Sequence, residues 1–366
     1  MRVLIVDDSA FMRKVLSSIV GGIPGAVIVG TAYDGRDGLS KIRSLRPDIV
    51  TLDIEMPNLD GMGVLQELRL LPVAERPAVL ICSTLTSAGS HAALKALRLG
   101  ASDVILKDPH SLGAGGEAAK GELTGKIKAL YESKHRRPAM GAPRASVATP
   151  GGHASPPRTI DLSGKAFEVI LIGSSTGGPP VLEQILMALP ADLPMPVVVA
   201  QHMPRMFTKS MSERLDEECA LSVVHAEHEM PLLPGSVYIT PGGLHSRIKP
   251  NAKGRATLIV AEDPKGALYK PSVDELFASG AALGPKALGI VLTGMGADGA
   301  IGAKAMHASK GIVIAQDAES CVVYGMPRAV VEAGAASAQL TPPQICAAVR
   351  QLAPSGQGMS SSQSAA

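Results

Sequence analysis

Short apolar runs alternate with helical patterns over residues 1 to about 132. Five runs of β-branched and other apolar residues are typical of buried strands, at 3–6, 26–30, 49–52, 78–82 and 104–106. Four stretches between them repeat apolar residues at helical spacing, at 11–20, 36–45, 61–70 and 91–99. This alternation predicts an α/β domain with a doubly wound parallel sheet, which binds ligands at the carboxyl ends of its strands.

The same alternation resumes between about residues 166 and 352. Further apolar runs lie at 169–172, 197–200, 237–240, 257–260, 288–293 and 312–315. Helical patterns follow several of them, at 182–189, 207–215, 273–283 and 300–308. We therefore expect a second α/β domain, with a Rossmann-like, doubly wound parallel sheet of its own.

The segment between the two patterned regions differs in composition. Residues 133–158 contain five basic residues and no acidic one among Pro, Gly, Ala, Ser and Thr, so they cannot bury a core. The tail from Pro354 is rich in Ser, Gly and Gln. We expect the first domain over 1–125, a helical end and flexible basic linker over 126–165, the second domain over 166–352 and a disordered tail over 353–366.

Composition narrows the class of protein. The chain has 35 basic and 33 acidic residues and only 2% aromatic residues, which gives little attraction to nucleic acid and few rings for stacking bases. The four cysteines are widely separated, which argues against a disulfide framework or a zinc site. No apolar run approaches the roughly 18 residues of a membrane span. We expect a cytoplasmic protein without nucleic-acid partners or membrane insertion.

Acidic side chains follow two strands of the first predicted sheet. Asp7 and Asp8 come after the first strand and Asp53 ends the third, so the topology brings three carboxylates to one edge. Each alone is typical of a turn, but together they would repel one another unless a hard cation such as Mg²⁺ bridges them. A metal beside a carboxylate suits phosphoryl transfer, with Lys107 at the end of the fifth strand balancing charge and a hydroxyl at the end of the fourth, Ser83 or Thr84, sensing the phosphate.

A strand-to-helix corner at 168–181 is the most informative stretch of the second domain. Ser174, Ser175 and Thr176 lie at the turn, where a hydroxyl is lifted clear of the sheet and helix N–H groups can stabilise negative charge. The alternative is a simple Ser/Thr helix cap. A phosphate-binding loop is discounted, because Pro179-Pro180 stands where that loop needs Lys followed by Ser or Thr.

Two other strand ends of the second domain carry an imidazole and a carboxylate. His202 follows the run at 197–200, and Asp298 follows the run at 288–293. A serine hydroxyl needs a neighbouring imidazole to take its proton, and a carboxylate to fix the tautomer of that imidazole. Each residue alone is more typical of a surface histidine or a turn aspartate. Together with Ser175 they suggest a nucleophilic triad in the order Ser, His, Asp.

The first domain resembles the response-regulator receiver family, which implies a flavodoxin-like form of the predicted sheet. The resemblance rests on V-D-D-S at 6–9, L-D-I-E-M-P at 52–57 with Asp60-Gly61, C-S-T at 82–84, and Lys107. It implies that Asp53 accepts a phosphoryl group, that Asp7, Asp8 and Asp53 bind Mg²⁺, and that Ser83 and Lys107 form the switch pair. One departure is Lys107-Asp108-Pro109, where the family usually has Lys-Pro.

The second domain resembles the catalytic domain of chemotaxis protein-glutamate methylesterases over about 166–350. The matching motifs are G-S-S-T-G-G at 173–178, Q-H-M-P at 201–204, P-S-V-D at 271–274, T-G-M-G-A-D-G at 293–299 and C-V-V-Y-G-M-P-R at 321–328. The resemblance implies Ser175, rather than Ser174, as nucleophile, with His202 as base and Asp298 as the orienting carboxylate. Thr176 and Met295 would support the oxyanion, and ester hydrolysis would need no cofactor.

The two resemblances together imply an enzyme of sensory adaptation. It would hydrolyse glutamate methyl esters, and deamidate glutamines, on methyl-accepting chemotaxis receptors. A chemotaxis histidine kinase would donate the phosphoryl group, and the receiver would cover the active site until Asp53 is phosphorylated. Two alternatives are a non-enzymatic output protein whose second domain binds a partner, and a serine hydrolase that acts on a small ester or peptide.

Overall fold

The computed structural model describes residues 1–83, 86–107, 116–135, 159–250, 256–264 and 267–353. Residues 136–158 of the predicted linker, most of the predicted tail, and Thr84, Asp108 and Pro109 of the receiver motifs lie outside this part of the chain. No helix in the described ranges combines the length and apolar composition needed to cross a bilayer.

The first domain is a five-stranded sheet flanked by helices. Its strands are β1 (Arg2–Val6), β2 (Val27–Ala32), β3 (Ile49–Asp53), β4 (Ala78–Ser83) and β5 (Asp103–Leu106), in the order β2-β1-β3-β4-β5. All neighbouring pairs are parallel. The described helices are α1 (Ala10–Gly21), α2 (Gly35–Leu45), α3 (Gly61–Leu68), α4 (Ser87–Arg98) and α5 (Glu117–Lys134), with a 3₁₀ turn at Val73–Glu75. The predicted doubly wound sheet is confirmed.

The second domain is built on a seven-stranded parallel sheet in the order β15-β14-β13-β6-β7-β10-β8. Its strands are β6 (Val169–Ser174), β7 (Val197–Gln201), β8 (Ser222–His225), β10 (Ser236–Ile239), β13 (Ala287–Val291), β14 (Ile312–Gln316) and β15 (Ala338–Leu340). Its helices are α6 (Gly178–Leu186), α7 (Arg205–Glu218), α8 (Val273–Gly280), α9 (Ala300–Ala308), α10 (Met326–Glu332) and α11 (Pro342–Arg350), with a 3₁₀ segment at Ala281–Lys286. The second predicted parallel sheet is also confirmed.

Two features of the fold differ from the sequence-based expectations. The apolar run at 257–260 does not join the parallel sheet. It lies in β12 (Ala256–Ala261), which pairs antiparallel with β11 (His245–Pro250) and β9 (Met230–Pro231) in a separate three-stranded sheet. The long helix α5 was expected only as a helical end, but it spans 18 residues.

The central strand of the second domain packs tightly against a helix. Every residue of β6 is buried, and a Cβ built at Gly173 would lie 2.3 Å from Cγ1 of Val273 in α8. The glycine therefore lets the start of α8 approach the strand that precedes the Ser175 corner. This close approach positions the groups of the site described below.

We predict that Gly173→Ala destabilises the protein by about 1–3 kcal/mol, because the added methyl overpacks this contact. The matched control is Gly121→Ala, at an exposed position in α5 where a Cβ meets nothing within 4 Å. Alanine at position 121 should raise the free energy of unfolding by roughly 0.5–1 kcal/mol, because alanine favours the helix more than glycine does. Urea unfolding measures both changes, and equal stability of the two variants would contradict the predicted contact.

Candidate active site

The corner after β6 forms a sharp turn into α6. Gly177 has a φ of 74°, in the left-handed region that favours glycine, and Pro179 and Pro180 follow in the first turn of the helix. The turn is fixed to the neighbouring strands by hydrogen bonds from Ser175 N to Thr293 O (3.0 Å) and from His202 N to Ser174 O (3.0 Å). The corner therefore lies between the carboxyl ends of β7 and β13.

The two serines of the corner differ in their hydrogen bonds. Ser174 is fully buried and its hydroxyl donates to Oε1 of Gln201, whose Nε2 donates in turn to the carbonyl of Ser175 at 3.0 Å. Within the described residues, the Ser175 hydroxyl makes no hydrogen bond, and the residue retains 8% exposure. The structure thus leaves one of the two hydroxyls uncommitted, at the position that the family resemblance indicates.

Asp298 is the most strongly anchored group of the site. Its carboxylate accepts hydrogen bonds from His202 Nε2 (2.8 Å), Ser272 Oγ (3.0 Å), Val273 N (2.7 Å) and Asp274 N (2.9 Å). The last two donors belong to the first turn of α8, where a helix has free N–H groups and a positive dipole end. Burial raises the pKa of the Asp298 carboxyl, but the bonds from His202 and from the helix backbone outweigh it and hold that pKa below its ordinary value.

The His202 imidazole has one nitrogen committed and one free. Because the Asp298 carboxylate only accepts, Nε2 carries the hydrogen of the 2.8 Å bond. Nδ1 is buried and has no hydrogen-bond partner among the described residues. The neutral ring therefore presents its lone pair on Nδ1. His202 and Asp298 form the predicted pair, and the Ser175 corner is hydrogen-bonded to the backbone of His202 and of the loop that carries Asp298.

Two aspartates, Asp274 and Asp298, link helices α8 and α9. Asp298 lies just before α9 and accepts from the start of α8, whereas Asp274 in α8 accepts from Gly302 N in α9 at 2.8 Å. This exchange connects the P-S-V-D motif to the T-G-M-G-A-D-G motif. Each motif supplies the acid that satisfies the first turn of the other's helix.

The receiver residues predicted to bind metal also meet at one edge. One carboxylate oxygen each of Asp7, Asp8 and Asp53 lies within 4.8 Å of the other two. Lys107 Nζ lies 2.5 Å from Asp53 Oδ2 and 2.9 Å from Asp7 Oδ2. Burial raises the pKa of Asp53 to about 6 against the opposing effect of Lys107. Ser83 lines a small cavity with Asp53, and its hydroxyl donates to Gly89 O at 3.0 Å.

This carboxylate cluster fits a magnesium ion. Mg²⁺ prefers oxygen ligands at about 2.0–2.1 Å in an octahedron, so three carboxylate oxygens already within 4.8 Å need only small shifts to share one ion. Asp8 is exposed, which leaves room for the water ligands that Mg²⁺ retains. The ion would neutralise charge around Asp53 during phosphoryl transfer.

The receiver covers the Ser175 corner in this structure. Asp103, at the start of β5, accepts a hydrogen bond from Thr176 Oγ1 at 2.5 Å, and its carboxylate is paired with Lys126 Nζ of α5 at 2.9 Å. Met295, the other residue predicted to support the oxyanion, lies against α5. Its Cε would be 3.2 Å from a Cβ at Gly125. Thr176 is only 1% exposed as a result.

Charged side chains join the domains beside this contact. The guanidinium of Arg98 in α4 pairs with Glu183 of α6 and with Glu218 of α7. Arg214 of α7 also lies 2.9 Å from Glu183. Burial alone would raise the pKa of Glu183, but Arg98 and Arg214 outweigh it and hold that pKa below its ordinary value. Both partners of Arg98 belong to the second domain, so these pairs require the domains to be in contact.

Sequence reasoning missed Asp103, Arg98 and the aromatic ring that lies on His202. Tyr269 stacks on the imidazole with ring centroids 4.5 Å apart and planes inclined by 5°. An acid at the border of a buried apolar run was a usable signal for Asp103, because such a group requires a partner. Nothing in the local sequence of Arg98 distinguishes it from other exposed helix residues.

Comparisons with known proteins agree with this architecture. The CheB methylesterase family matches residues 170–349, and the response regulator receiver domain matches residues 3–112. A protein-glutamate methylesterase/protein-glutamine glutaminase of Oleidesulfovibrio alaskensis is 45% identical over 92% of this chain and 94% of its own length. A second, from Symbiobacterium thermophilum, is 44% identical over 92% of each chain.

A solved structure is similar over part of the chain. The Thermotoga maritima CheB methylesterase catalytic domain is 40% identical, with a TM-score of 0.48, over 50% of this chain and 97% of that one. The full-length relatives, by contrast, match across both domains at 40–45% identity. The chain therefore belongs to the family of protein-glutamate methylesterase/protein-glutamine glutaminase enzymes, in which a response-regulator receiver precedes a CheB methylesterase domain.

Proposed function

We propose that this chain hydrolyses glutamate methyl esters, and deamidates glutamines, on methyl-accepting chemotaxis receptors, under the control of phosphorylation at Asp53. The observation that carries the proposal is an uncommitted Ser175 hydroxyl at a strand end adjacent to that of His202, whose ring is held by Asp298 and has a buried, unpaired Nδ1. The names of the relatives supply the substrate class.

The proposed reaction has two stages. In the first, Nδ1 of His202 takes the Ser175 proton while Oγ bonds to the ester carbonyl carbon, and the same proton leaves with methanol when the carbon–methoxy bond breaks. In the second, water attacks the acyl-enzyme and gives its proton to His202. Ser175 then recovers a proton as the glutamate carboxylate departs. With a glutamine substrate the leaving group is ammonia, and the proton transfers are the same.

Asp298 and the turn have supporting roles in this proposal. Asp298 keeps the hydrogen on Nε2 and balances the imidazolium that forms. Thr176 and Met295 support the oxyanion in this proposal. The first turn of α6 adds no free N–H group there, because Gly178 N donates to Ser175 O at 2.9 Å and Pro179 and Pro180 have no N–H. Because Thr176 is hydrogen-bonded to Asp103 of the receiver, it is withheld from substrate while the domains are in contact.

Regulation in this proposal acts through the domain contact. A histidine kinase of the receptor array transfers a phosphoryl group to Asp53. Asp7, Asp8 and Asp53 would hold the Mg²⁺ that neutralises charge there. The new charge retains Lys107, which already pairs with Asp53, and draws the Ser83 hydroxyl away from Gly89 O. The receiver face that carries α4 and α5 then loses its fit to the second domain. Separation of the domains then exposes the corner at Ser175.

Ser175→Ala should lower methanol release from methylated receptor membranes by about 10⁴-fold or more, because no other hydroxyl replaces the nucleophile. The matched control is Ser174→Ala, which removes the neighbouring hydroxyl that is bonded to Gln201 and should retain most of the activity. Both variants should still accept phosphate on Asp53. Turnover by Ser175→Ala at the normal rate would refute the assignment.

Arg98→Glu should raise the esterase rate of the unphosphorylated chain severalfold, because it places like charges against Glu183 and Glu218. Lys95→Glu is the matched control, since it makes the same charge change at an exposed position of α4.

A fragment lacking residues 1–150 gives the rate of the uncovered site. If the fragment is no faster than the unphosphorylated full chain, the receiver does not act as a cover.

Mg²⁺ should raise the melting temperature of the protein near neutral pH, with about 2.7 kcal/mol of stabilisation at a hundredfold excess over its dissociation constant. Asp8→Asn should abolish most of this effect. Asp60→Asn, which keeps an N-cap for α3, should not change it. Because the pKa of Asp53 is about 6, protons compete with the metal below that pH, and the stabilisation should shrink by about pH 5. Equal stabilisation of all three proteins would exclude this site.

A further inference from the structure

The ring of Tyr269 lies flat on the imidazole of His202. The two ring centroids are 4.5 Å apart and the planes differ by only 5°. Tyr269 belongs to the loop between β12 and α8, three residues before Ser272, which donates to Asp298. The same loop thus contacts His202 from above and supports the carboxylate that binds its edge.

The loop that carries Asp298 leaves space for this tyrosine. A Cβ at Gly296 would lie 2.8 Å from the Tyr269 hydroxyl, and Gly296 has a φ of 83°. A side chain at 296 would therefore displace the phenol as well as strain the backbone. Gly296 and Asp298 are two residues apart, so one turn admits the ring and supplies the carboxylate.

The stacked arrangement has an electrostatic consequence. In the proposed reaction His202 changes from a neutral imidazole to an imidazolium when it takes the Ser175 proton. The face of an aromatic ring carries negative charge density and attracts a cation above it. Asp298 meets the imidazolium in the ring plane, and Tyr269 meets it from the perpendicular direction.

Two carboxylates act on the pKa of the Tyr269 phenol, one from the site and one from the receiver. Burial raises the pKa of the Tyr269 phenol, and the charges of Asp298 and of Glu122 in α5 add to that effect. Glu122 is itself paired with Lys126 at 3.3 Å. The phenol therefore remains neutral at physiological pH, so the ring contributes through its face and not through a charge.

We propose that Tyr269 is a positioning residue of the esterase, whose ring face fixes the plane of the His202 imidazole and stabilises the imidazolium formed during acylation. This inference rests on the proposed function of Ser175, His202 and Asp298. The stacking face of Tyr269, and not its hydroxyl, is the group that supports His202. Tyr269 would act on the reaction only through His202.

Two substitutions separate the ring face from the hydroxyl. Tyr269→Phe keeps the face, so its kcat should stay within about twofold of the unsubstituted chain. Tyr269→Leu removes the face while remaining apolar, so kcat should fall about five- to thirtyfold with KM unchanged. The acid limb of the kcat profile should also move to lower pH in Tyr269→Leu, because the imidazolium has lost a stabilising contact.

The assay uses the full chain with a small phosphodonor and Mg²⁺, and methylated receptor membranes as substrate. Tyr33→Leu, at an exposed receiver position, is the matched control and should leave the rate unchanged. Proton NMR of the His202 ring in a Ser175→Ala background should report the same shift of its titration in Tyr269→Leu without relying on turnover. If thermal melting shows that the leucine variant is unfolded, Tyr269→Met takes its place under the same criteria.

Three results would overturn the inference. The first is full activity of Tyr269→Leu, and the second is a loss in Tyr269→Phe as large as that in Tyr269→Leu. The third is a loss in Tyr269→Leu with no movement of the acid limb or of the NMR titration, which would indicate a structural role alone. Activity of Ser175→Ala, by contrast, would refute the proposed function itself, so the two failures are distinguishable.

Discussion

The hydrogen-bonded carboxylate of Asp298 is the interaction on which the rest of the site depends. A buried charge is stable only when donors surround it, and here the donors come from three places: an imidazole, a serine hydroxyl and the first turn of α8. Helix α8 packs directly against Gly173 of β6, and the Ser175 corner directly follows β6. The positions of the carboxylate, the imidazole and the corner are therefore all fixed relative to this strand. Side chains far apart in the chain thereby acquire one fixed geometry.

The same corner serves two surfaces at once. Thr176 follows the candidate nucleophile, and it is also the residue that the receiver binds through Asp103. In the proposed mechanism substrate needs the same group, so the closed arrangement and a productive complex would exclude each other. The ion pairs of Arg98 lie outside this contact and are partly exposed, so salt weakens them more readily than the buried pair of Asp103 and Lys126.

Local patterns predicted the parallel sheets. They also placed the candidate side chains at strand ends that the structure brings to one edge, because the carboxyl ends of parallel strands share an edge. Local patterns failed for elements whose position depends on contacts with residues distant in the chain. The run at 257–260 could not be assigned to an antiparallel sheet, since a short apolar run does not reveal its partner. Helix α5 was largely missed because it buries residues toward both domains and contains Gly121 and Gly125, which weaken helix propensity. Tyr269 and Asp103 contact residues that are distant in the chain, and no spacing rule identifies them.

The ion pair between Lys126 and Asp103 affects how the two domains can separate and reassociate. The Lys126 ammonium group lies 2.9 Å from the Asp103 carboxylate and donates to Val104 O at 2.8 Å, and all three residues belong to the receiver. When the second domain withdraws, Asp103 loses a neutral hydroxyl but retains its countercharge, so this buried carboxylate is not left unpaired. Water can replace the Thr176 hydroxyl as donor to Asp103, so the loss of this one hydrogen bond adds little to the free energy cost of separating the domains. In the proposed regulation, the phosphoryl group on Asp53 would therefore not have to offset the cost of an unpaired carboxylate at this contact.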